Sequence, residues 1–272
     1  MPGMGIFESF KRTFNIGGCG IEIRPDGDDF HQGDRVAGSV LLRGGGYVQE
    51  ASQLRIALVE FWTESRGSGK NRRTVTVTKD ADSAVLASPC SVGAGVELEY
   101  DFHLSLPIDA RLSKPGESTG WRLRVDLDVP GAVDPSGTVD LAVEPAVALL
   151  ELVRLWGEVL RWSEVPGNRS WDRSSRTTCF RLKPPVELTG EFDHLDLACQ
   201  PLPGGDWQTA LEFDLQEKGF MDRLKAIVDM DKAERSARIP AAALAGDIAA
   251  RNACAAELVR QMQGILDERT KR

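Results

Sequence analysis

Length, composition and charge limit what this chain can be. It has 272 residues, 42% of them hydrophobic, which suffices for one large domain or two modest ones. Its 33 basic and 41 acidic residues give a net charge of -8, so nucleic acid is an unfavourable partner unless the basic residues cluster. Three histidines and five cysteines leave little material for metal or nucleophile chemistry.

Neither a secretory leader nor a membrane span is predicted. The chain does not open with the charged and apolar regions of a signal peptide. Its longest apolar segment, residues 146–162, contains four charged residues. The cysteines form no Cys-x-x-Cys pair, so we expect reduced thiols in a cytoplasmic protein.

The first predicted element is a short helix within residues 1–18. Apolar side chains recur there with helical spacing, at Ile6, Phe7, Phe10 and Phe14. Gly17 and Gly18 end the pattern. Because Lys11 and Arg12 lie between the apolar positions, a membrane-surface helix is the alternative. Two turns would bury little area in a bilayer, so packing onto the following domain is favoured.

Residues 19–145 are predicted to form an antiparallel β-sandwich. Seven segments alternate apolar and polar residues, which is typical of strands with one buried and one wet face. They begin at Ile21, Val36, Leu54, Val75, Val96, Trp121 and Val139. No helical pattern separates them, which argues against a parallel α/β sheet. A closed barrel is the competing architecture.

A helix followed by a polar linker is predicted over residues 146–176. Pro145 precedes the apolar helical segment, and a Ser-, Arg- and Gly-rich stretch follows it. The apolar face of the helix needs a cover, either between two lobes or from a partner or second copy. The candidate partner or self-association surface consists of Trp156, Trp162, Trp171, Leu149, Leu152 and Val153.

The rest of the chain is predicted as a smaller second β-sandwich lobe, residues 177–240, and a C-terminal helix, residues 241–272. Strand-like alternation recurs in four segments, near Phe180, Leu197, Phe213 and Ala237. Residues 220–228 instead show helical spacing. The final segment is interpreted as one long helix with an apolar stripe at Leu258, Met262 and Ile265.

Three short patterns have a chemical and a structural interpretation. Residues 67–70, Gly-Ser-Gly-Lys, lack the upstream glycine and the following Ser/Thr of a phosphate-binding loop, so a hairpin turn is favoured. Residues 44–46 are three glycines, interpreted as a turn that needs positive φ. An acidic loop could bind calcium, but turn formation is favoured for its aspartates, Asp26, Asp28, Asp29 and Asp34.

No catalytic constellation is predicted. His31, His103 and His194 lie on unrelated segments, and no nucleophile motif accompanies them. His103 is expected to face solvent. Alternating charges on one strand are interpreted as a solvated ion-pair face; they are Arg122, Arg124, Asp126 and Asp128.

Two segments resemble the arrestin-like sporulation-control protein family. Residues 33–45, Gly-Asp-Arg-Val-Ala-Gly-Ser-Val-Leu-Leu-Arg-Gly-Gly, resemble its early strand pair. Residues 121–135, Trp-Arg-Leu-Arg-Val-Asp-Leu-Asp-Val-Pro-Gly-Ala-Val-Asp-Pro, resemble a later stretch. The resemblance implies a mainly β fold of two tandem arrestin-like antiparallel β-sandwich lobes, with a linker helix and a C-terminal helix. It implies no catalytic residue and no cofactor.

The expected function is that of a non-enzymatic cytoplasmic regulator or scaffold. As the resemblance implies, it would act through contacts with a protein partner, and a homodimer is also considered. Nucleic acid is not expected as a partner, and no metal site is assigned. The alternative is a ligand- or ion-binding β-sandwich adaptor at the membrane surface, which would use residues 6–14.

Overall fold

The computed structural model describes residues 14–16, 19–131, 136–216 and 232–270. The chain divides into two compact units, Met1–Glu144 and Pro145–Arg272. Of the predicted N-terminal helix, the described part is limited to Phe14, Asn15 and Ile16, which form a strand; the remainder lies outside the described residues.

The first unit contains eleven described strands. They are β1 Phe14–Ile16, β2 Cys19–Pro25, β3 Asp29–His31, β4 Arg35–Gly44, β5 Gln49–Ala51, β6 Gln53–Arg66, β7 Arg73–Ala87, β8 Cys90–Val92, β9 Glu97–Ser105, β10 Gly120–Asp128 and β11 Ser136–Glu144. The seven segments predicted from alternation are all strands. The four additional ones, β1, β3, β5 and β8, are three residues each, too short to show a period.

Two sheets form the sandwich of the first unit. One has the order β1-β2-β4-β9 and the other β3-β11-β10-β6-β7, while β5 and β8 form a separate pair. Apolar side chains from both sheets meet in one buried cluster. In β10 the period of two is plain: Leu123, Val125 and Leu127 are fully buried, and the charged residues between them face outward. Full burial of each such side chain contributes roughly 1.5–3 kcal/mol.

The glycine segment at residues 44–46 corrects one expectation. None of the three glycines has positive φ. Gly44 is required for a different reason, because a Cβ there would lie 1.9 Å from the carbonyl oxygen of Gly93. The constraint is therefore the close approach of two backbones rather than a left-handed turn.

The second unit has three α-helices and six strands among its described residues. They are α1 Val147–Leu160, β12 Ser163–Glu164, β13 Ser170–Asp172, β14 Thr177–Lys183, β15 Phe192–Pro201, β16 Trp207–Leu215, β17 Lys232–Ile239, α2 Ala241–Leu244 and α3 Ile248–Thr270. The strands form one antiparallel sheet of order β12-β14-β15-β16-β17, and β13 also pairs with β14.

Two segments of the second unit differ from their sequence interpretation. The polar stretch after α1 contributes β12 and β13 to the sheet. The expected single C-terminal helix is α2 followed by α3. Gly246, with φ of 94°, ends the first helix, and Asp247 caps the second by accepting the N–H of Ala250 at 2.9 Å. Residues 220–228, with their helical spacing, lie outside the described residues.

The cover of this sheet is helical. Buried side chains of α1 and α3 share one cluster with the inner face of β14, β15 and β16. The mainly β class, with a helix after the first unit and another at the C-terminus, is confirmed. For the smaller second lobe, the described residues supply one sheet and a layer of helices where a second sheet was expected.

Candidate functional site

The predicted partner surface on α1 is, for the most part, the core of the second unit. Leu149, Leu152 and Trp156 are 0% exposed, and Trp162, just after the helix, is 2% exposed. A partner could reach these side chains only by unfolding the unit. The structure thus corrects the assignment: the apolar face is covered by the chain's own sheet and by α3.

The two tryptophans meet because of how α1 ends. Arg161 adopts φ 58°, a left-handed conformation that terminates helices, and the chain reverses so that the Trp162 N–H donates to the Trp156 carbonyl at 3.3 Å. Their ring centroids lie 6.2 Å apart at 80°. Trp162 also packs edge-on against Phe213 at 5.9 Å and lies 5.7 Å from Phe192. Such tilted and edge-to-face contacts are the favoured aromatic geometries.

The other two members of the predicted surface are half-buried. Val153 packs at the margin of the core cluster. Trp171 lies in β13, where the Arg176 guanidinium stands 5.6 Å from its ring centroid. The six residues therefore do not form one exposed surface.

The β6–β7 hairpin is the most extended feature of the first unit. Its strands have 14 and 15 residues and remain paired from Leu54 with Ala87 to Arg66 with Arg73. Within the described chain, β7 is the last strand of its sheet. Asp82 ties the middle of β7 to β9 by accepting the Ser105 backbone N–H at 2.7 Å. The half nearer the turn, residues 73–79, presents an edge that another strand can join.

Basic side chains concentrate at the end of this hairpin. Residues 66–73, which we call the basic tip, contain four basic residues and no acidic one, although the chain is net acidic. Arg72 and Arg73 are exposed, and the Arg72 guanidinium donates to Ser65 Oγ at 3.3 Å. Gly67 and Gly69 have φ of 89° and 55°, so this segment is a hairpin turn, as favoured.

Sequence reasoning missed the basic tip because it examined residues 67–70 only as a phosphate loop. The available signal was the density of basic residues, four in eight positions. What the sequence could not show is that a long exposed edge strand leads away from them.

The acidic loop is organised as a turn. The Asp34 carboxylate accepts the backbone N–H of His31 at 2.7 Å, and the Asp34 N–H donates to the His31 carbonyl at 3.0 Å. Asp26, Asp28 and Asp29 are exposed. In the part of the chain that the structure describes, none of these aspartates belongs to a group of three metal-ligating side chains.

The charged face of β10 is a network of ion pairs. Arg124 contacts Asp126 at 2.9 Å on its own strand and Asp80 on β7 at 3.3 Å. Arg122 contacts Asp140 at 3.2 Å. These groups are each about a quarter to a third exposed, so each pair contributes about 1 kcal/mol or less.

The thiols are unsuited to nucleophilic chemistry. All five cysteines are free, and burial raises the pKa of each of them. The thiolate is the reactive form, so these groups are poor nucleophiles. Of the histidines, His103 is exposed, as expected, and His194 lies beside Asp193 and Asp214 on the outer face of the second sheet.

Fold and surface together define a class: a mainly β protein built on a two-sheet sandwich, with a long strand, β7, at the edge of one sheet. The family model described as Spo0M, SpoOM protein, matches residues 7–216. The match spans more than half of the chain, so the chain belongs to this family. Membership supports a regulatory role.

A solved structure supports the fold. The crystal structure of Spo0M, sporulation control protein, from Bacillus subtilis matches with a TM-score of 0.61 and 15% sequence identity. The match covers 90% of this chain and 100% of that one. A search of curated proteins gives no match. None of the described helices combines the length and the apolar character needed to cross a membrane.

Proposed function

We propose that this chain is a non-enzymatic cytoplasmic regulator with arrestin-like architecture that acts by binding a protein partner. Family membership supports the regulatory role. The observation that carries the binding mode is the exposed edge of β7 next to the basic tip. An edge strand of this kind recruits an extended segment by main-chain hydrogen bonding.

The chemistry of the edge selects an acidic partner segment. Residues 73–79 span about 23 Å at about 3.3 Å per residue, which accommodates a strand of ordinary length. An incoming acidic side chain can reach Arg72 or Arg73, both exposed. The remainder of the chain is net acidic and repels the same segment, so the charge pattern directs it to the hairpin.

Pairing of two copies through this edge is less favourable. In an antiparallel pair centred on Thr76, Arg73 of one copy would lie opposite Lys79 of the other. Like charges placed directly opposite each other destabilise a strand pair. The membrane-surface alternative depended on residues 6–14, of which the structure describes Phe14 alone.

Site-specific photo-crosslinking in the native host tests this function. A photoreactive residue at Thr76, which is exposed on β7, should form an adduct with another protein, mapped by mass spectrometry to an acidic segment. The same probe at Glu117, exposed elsewhere in the first unit, is the control and should not. Combining Arg72→Glu with Arg73→Glu should abolish the Thr76 adduct, whereas Lys114→Glu should preserve it.

Three results would contradict the proposal. One is an adduct with a second copy of the chain, another is an adduct sensitive to nuclease, and the third is an adduct that survives the double charge reversal. Because Arg72 and Arg73 are exposed, the reversal should change the free energy of unfolding by no more than about 0.5 kcal/mol. Loss of the adduct with an unchanged melting temperature therefore reports on binding.

A further inference from the structure

A histidine and two aspartates converge on the outer face of the second unit's sheet. His194 Nδ1 lies 3.2 Å from Asp214 Oδ2 and 3.4 Å from Asp193 Oδ2. One ligand atom from each residue lies within 4.8 Å of the others. We propose that these three side chains bind a divalent transition metal ion of the Zn²⁺ class.

A β-bulge creates the convergence. Between β15 and β16, Phe192 pairs with Leu215 and His194 pairs with Asp214, so Asp193 is the extra residue. Phe192 and Leu195 are both fully buried, which leaves the two residues between them on the outer side. In a regular strand one of those two would point into the core. Bulges re-aim side chains in this way beside functional sites.

The separations suit tetrahedral zinc. With Zn–N and Zn–O bonds of about 2.0–2.2 Å, ligand atoms around a tetrahedral ion lie about 3.3–3.5 Å apart. The two distances from His194 Nδ1, 3.2 and 3.4 Å, are close to this range. The third separation, between the ligand oxygens of Asp193 and Asp214, is within 4.8 Å. The Asp193 side chain is 62% exposed, so its rotation would bring this separation to the tetrahedral spacing.

The second nitrogen of the imidazole supports the assignment. His194 Nε2 lies 3.5 Å from Asp196 Oδ2. Arg181 fixes Asp196 with two bonds of 2.7 Å, one to each carboxylate oxygen. Metal-binding histidines commonly present their other N–H to a carboxylate, which orients the ring and selects the tautomer whose free nitrogen binds the ion.

A hydrogen bond also orients the carboxylate of Asp193, one of the three proposed ligands. Gln216 Nε2 donates to Asp193 Oδ1 at 3.0 Å, which leaves Oδ2 directed at the histidine.

The donor set selects the kind of ion. Imidazole favours zinc and neighbouring transition metals, whereas magnesium and calcium favour oxygen ligands alone. Three protein ligands leave a fourth position, and the exposure of Asp193 opens that position to solvent. The site is on the second unit and is independent of the β7 edge.

Calorimetric titration of the full chain with Zn²⁺ tests this proposal. The wild-type chain should bind one ion, and His194→Ala and Asp214→Asn should each weaken binding by more than about 100-fold. Asp196→Asn leaves the three ligands in place and should weaken it by about 10–100-fold. His103→Ala, which removes an exposed histidine of the first unit, is the matched control and should bind as the wild type does.

Further measurements separate a metal site from a simple ion-pair cluster. Co²⁺ in place of Zn²⁺ should give the absorption of a tetrahedral nitrogen–oxygen site without thiolate bands. If His194→Ala does not fold, Asp193→Asn, a change at an exposed side chain, takes its place. The proposal is overturned if Zn²⁺ gives no binding heat at micromolar concentration, if the ligand variants bind unchanged, or if Co²⁺ shows thiolate ligation.

Discussion

The two units cover a sheet in different ways. In the first, two sheets face each other and mostly aliphatic side chains fill the space between them; Trp121 is its one buried tryptophan among the described residues. In the second, helices α1 and α3 cover a single described sheet, and a cluster of tryptophan and phenylalanine rings fills the space. Six of the 23 buried residues in the second cluster are aromatic, against three of 23 in the first, so rings fill a larger share of the second core.

The two units also differ in the surface features that they present. The first unit has a long edge strand ending in a basic tip, a feature suited to another chain. The second has a compact cluster at a bulge, around His194, that is suited to a small ion. In the second unit the helices cover one face of the sheet, and the His194 cluster lies on the opposite face.

Truncation of a tryptophan in the second core should have the largest effect. Trp162→Ala should lower the free energy of unfolding of that unit by about 3–5 kcal/mol, because it removes a buried ring that contacts three others. Hydrogen exchange followed by mass spectrometry will resolve the two units, and the first should keep its protection. Protection lost equally in both would show that the cores are not separate.

Two variants calibrate that measurement. Trp162→Phe should lower the free energy of unfolding less than Trp162→Ala does. It keeps a ring and removes an indole N–H that has no acceptor among the described residues. Trp171→Ala removes a half-buried tryptophan of the same unit and should also lower the free energy of unfolding less than Trp162→Ala does. If Trp171→Ala matches Trp162→Ala, burial in the aromatic cluster is not the source of the stability.

A single truncation in the first core should have a somewhat smaller effect. Leu123→Ala, at the centre of β10, should destabilise the first unit by about 2–5 kcal/mol through lost burial and a residual cavity. Hydrogen exchange should report the loss in residues 19–144 and leave α1 protected. Exchange that rises in the second unit instead would contradict the division of the chain.

The smallest effect concerns the turn between β13 and β14. Asp172 accepts hydrogen bonds from Ser174 and Ser175, which lower its pKa to about 2. Since the folded pKa lies below the ordinary 3.8, the ionised group stabilises the turn above about pH 4, and this contribution is lost as the pH falls through 2. The side-chain carboxyl signal, followed by NMR, should report this value.

Removal of the two hydroxyls tests the cause. In the Ser174→Ala/Ser175→Ala double variant the pKa of Asp172 should rise toward 3.8. The pKa of Asp206, which is lowered by the Ala241 backbone N–H and by Arg238, is the internal control and should stay low. If the pKa of Asp172 is unchanged in the double variant, the serine hydroxyls are not what lowers it.

The strands were predictable because burial of one face of a strand makes apolar and polar residues alternate along the sequence. β9 shows it throughout, β10 from Trp121 onward and β15 from Leu195 onward. Three-residue strands such as β3 are too short for a period. The stretch around β13 was interpreted as a linker because its polar composition is typical of a loop, although Trp171 pairs there with Thr178.

The candidate sites were less accessible to sequence reasoning. The density of basic residues in the basic tip is visible in the sequence. Its role as a binding site also depends on β7 being the last strand of its sheet, which the sequence does not show. His194 and Asp214 are twenty residues apart, and the bulge that adds Asp193 to them interrupts the alternation that defines the strand. Neither the edge position of β7 nor the meeting of His194 with the two aspartates produces a pattern in a continuous stretch of sequence.

By itself, the sequence determined the mainly β class, the seven long strands of the first unit, the apolar face of α1 and the resemblance to the sporulation-control family. Each of these is a local or periodic property of the chain. The tertiary structure alone decided that Trp156 and Trp162 are core, that the β7 edge is exposed and that His194 meets two carboxylates. A periodic pattern shows that a face must be buried, but only the packing of distant segments decides what buries it.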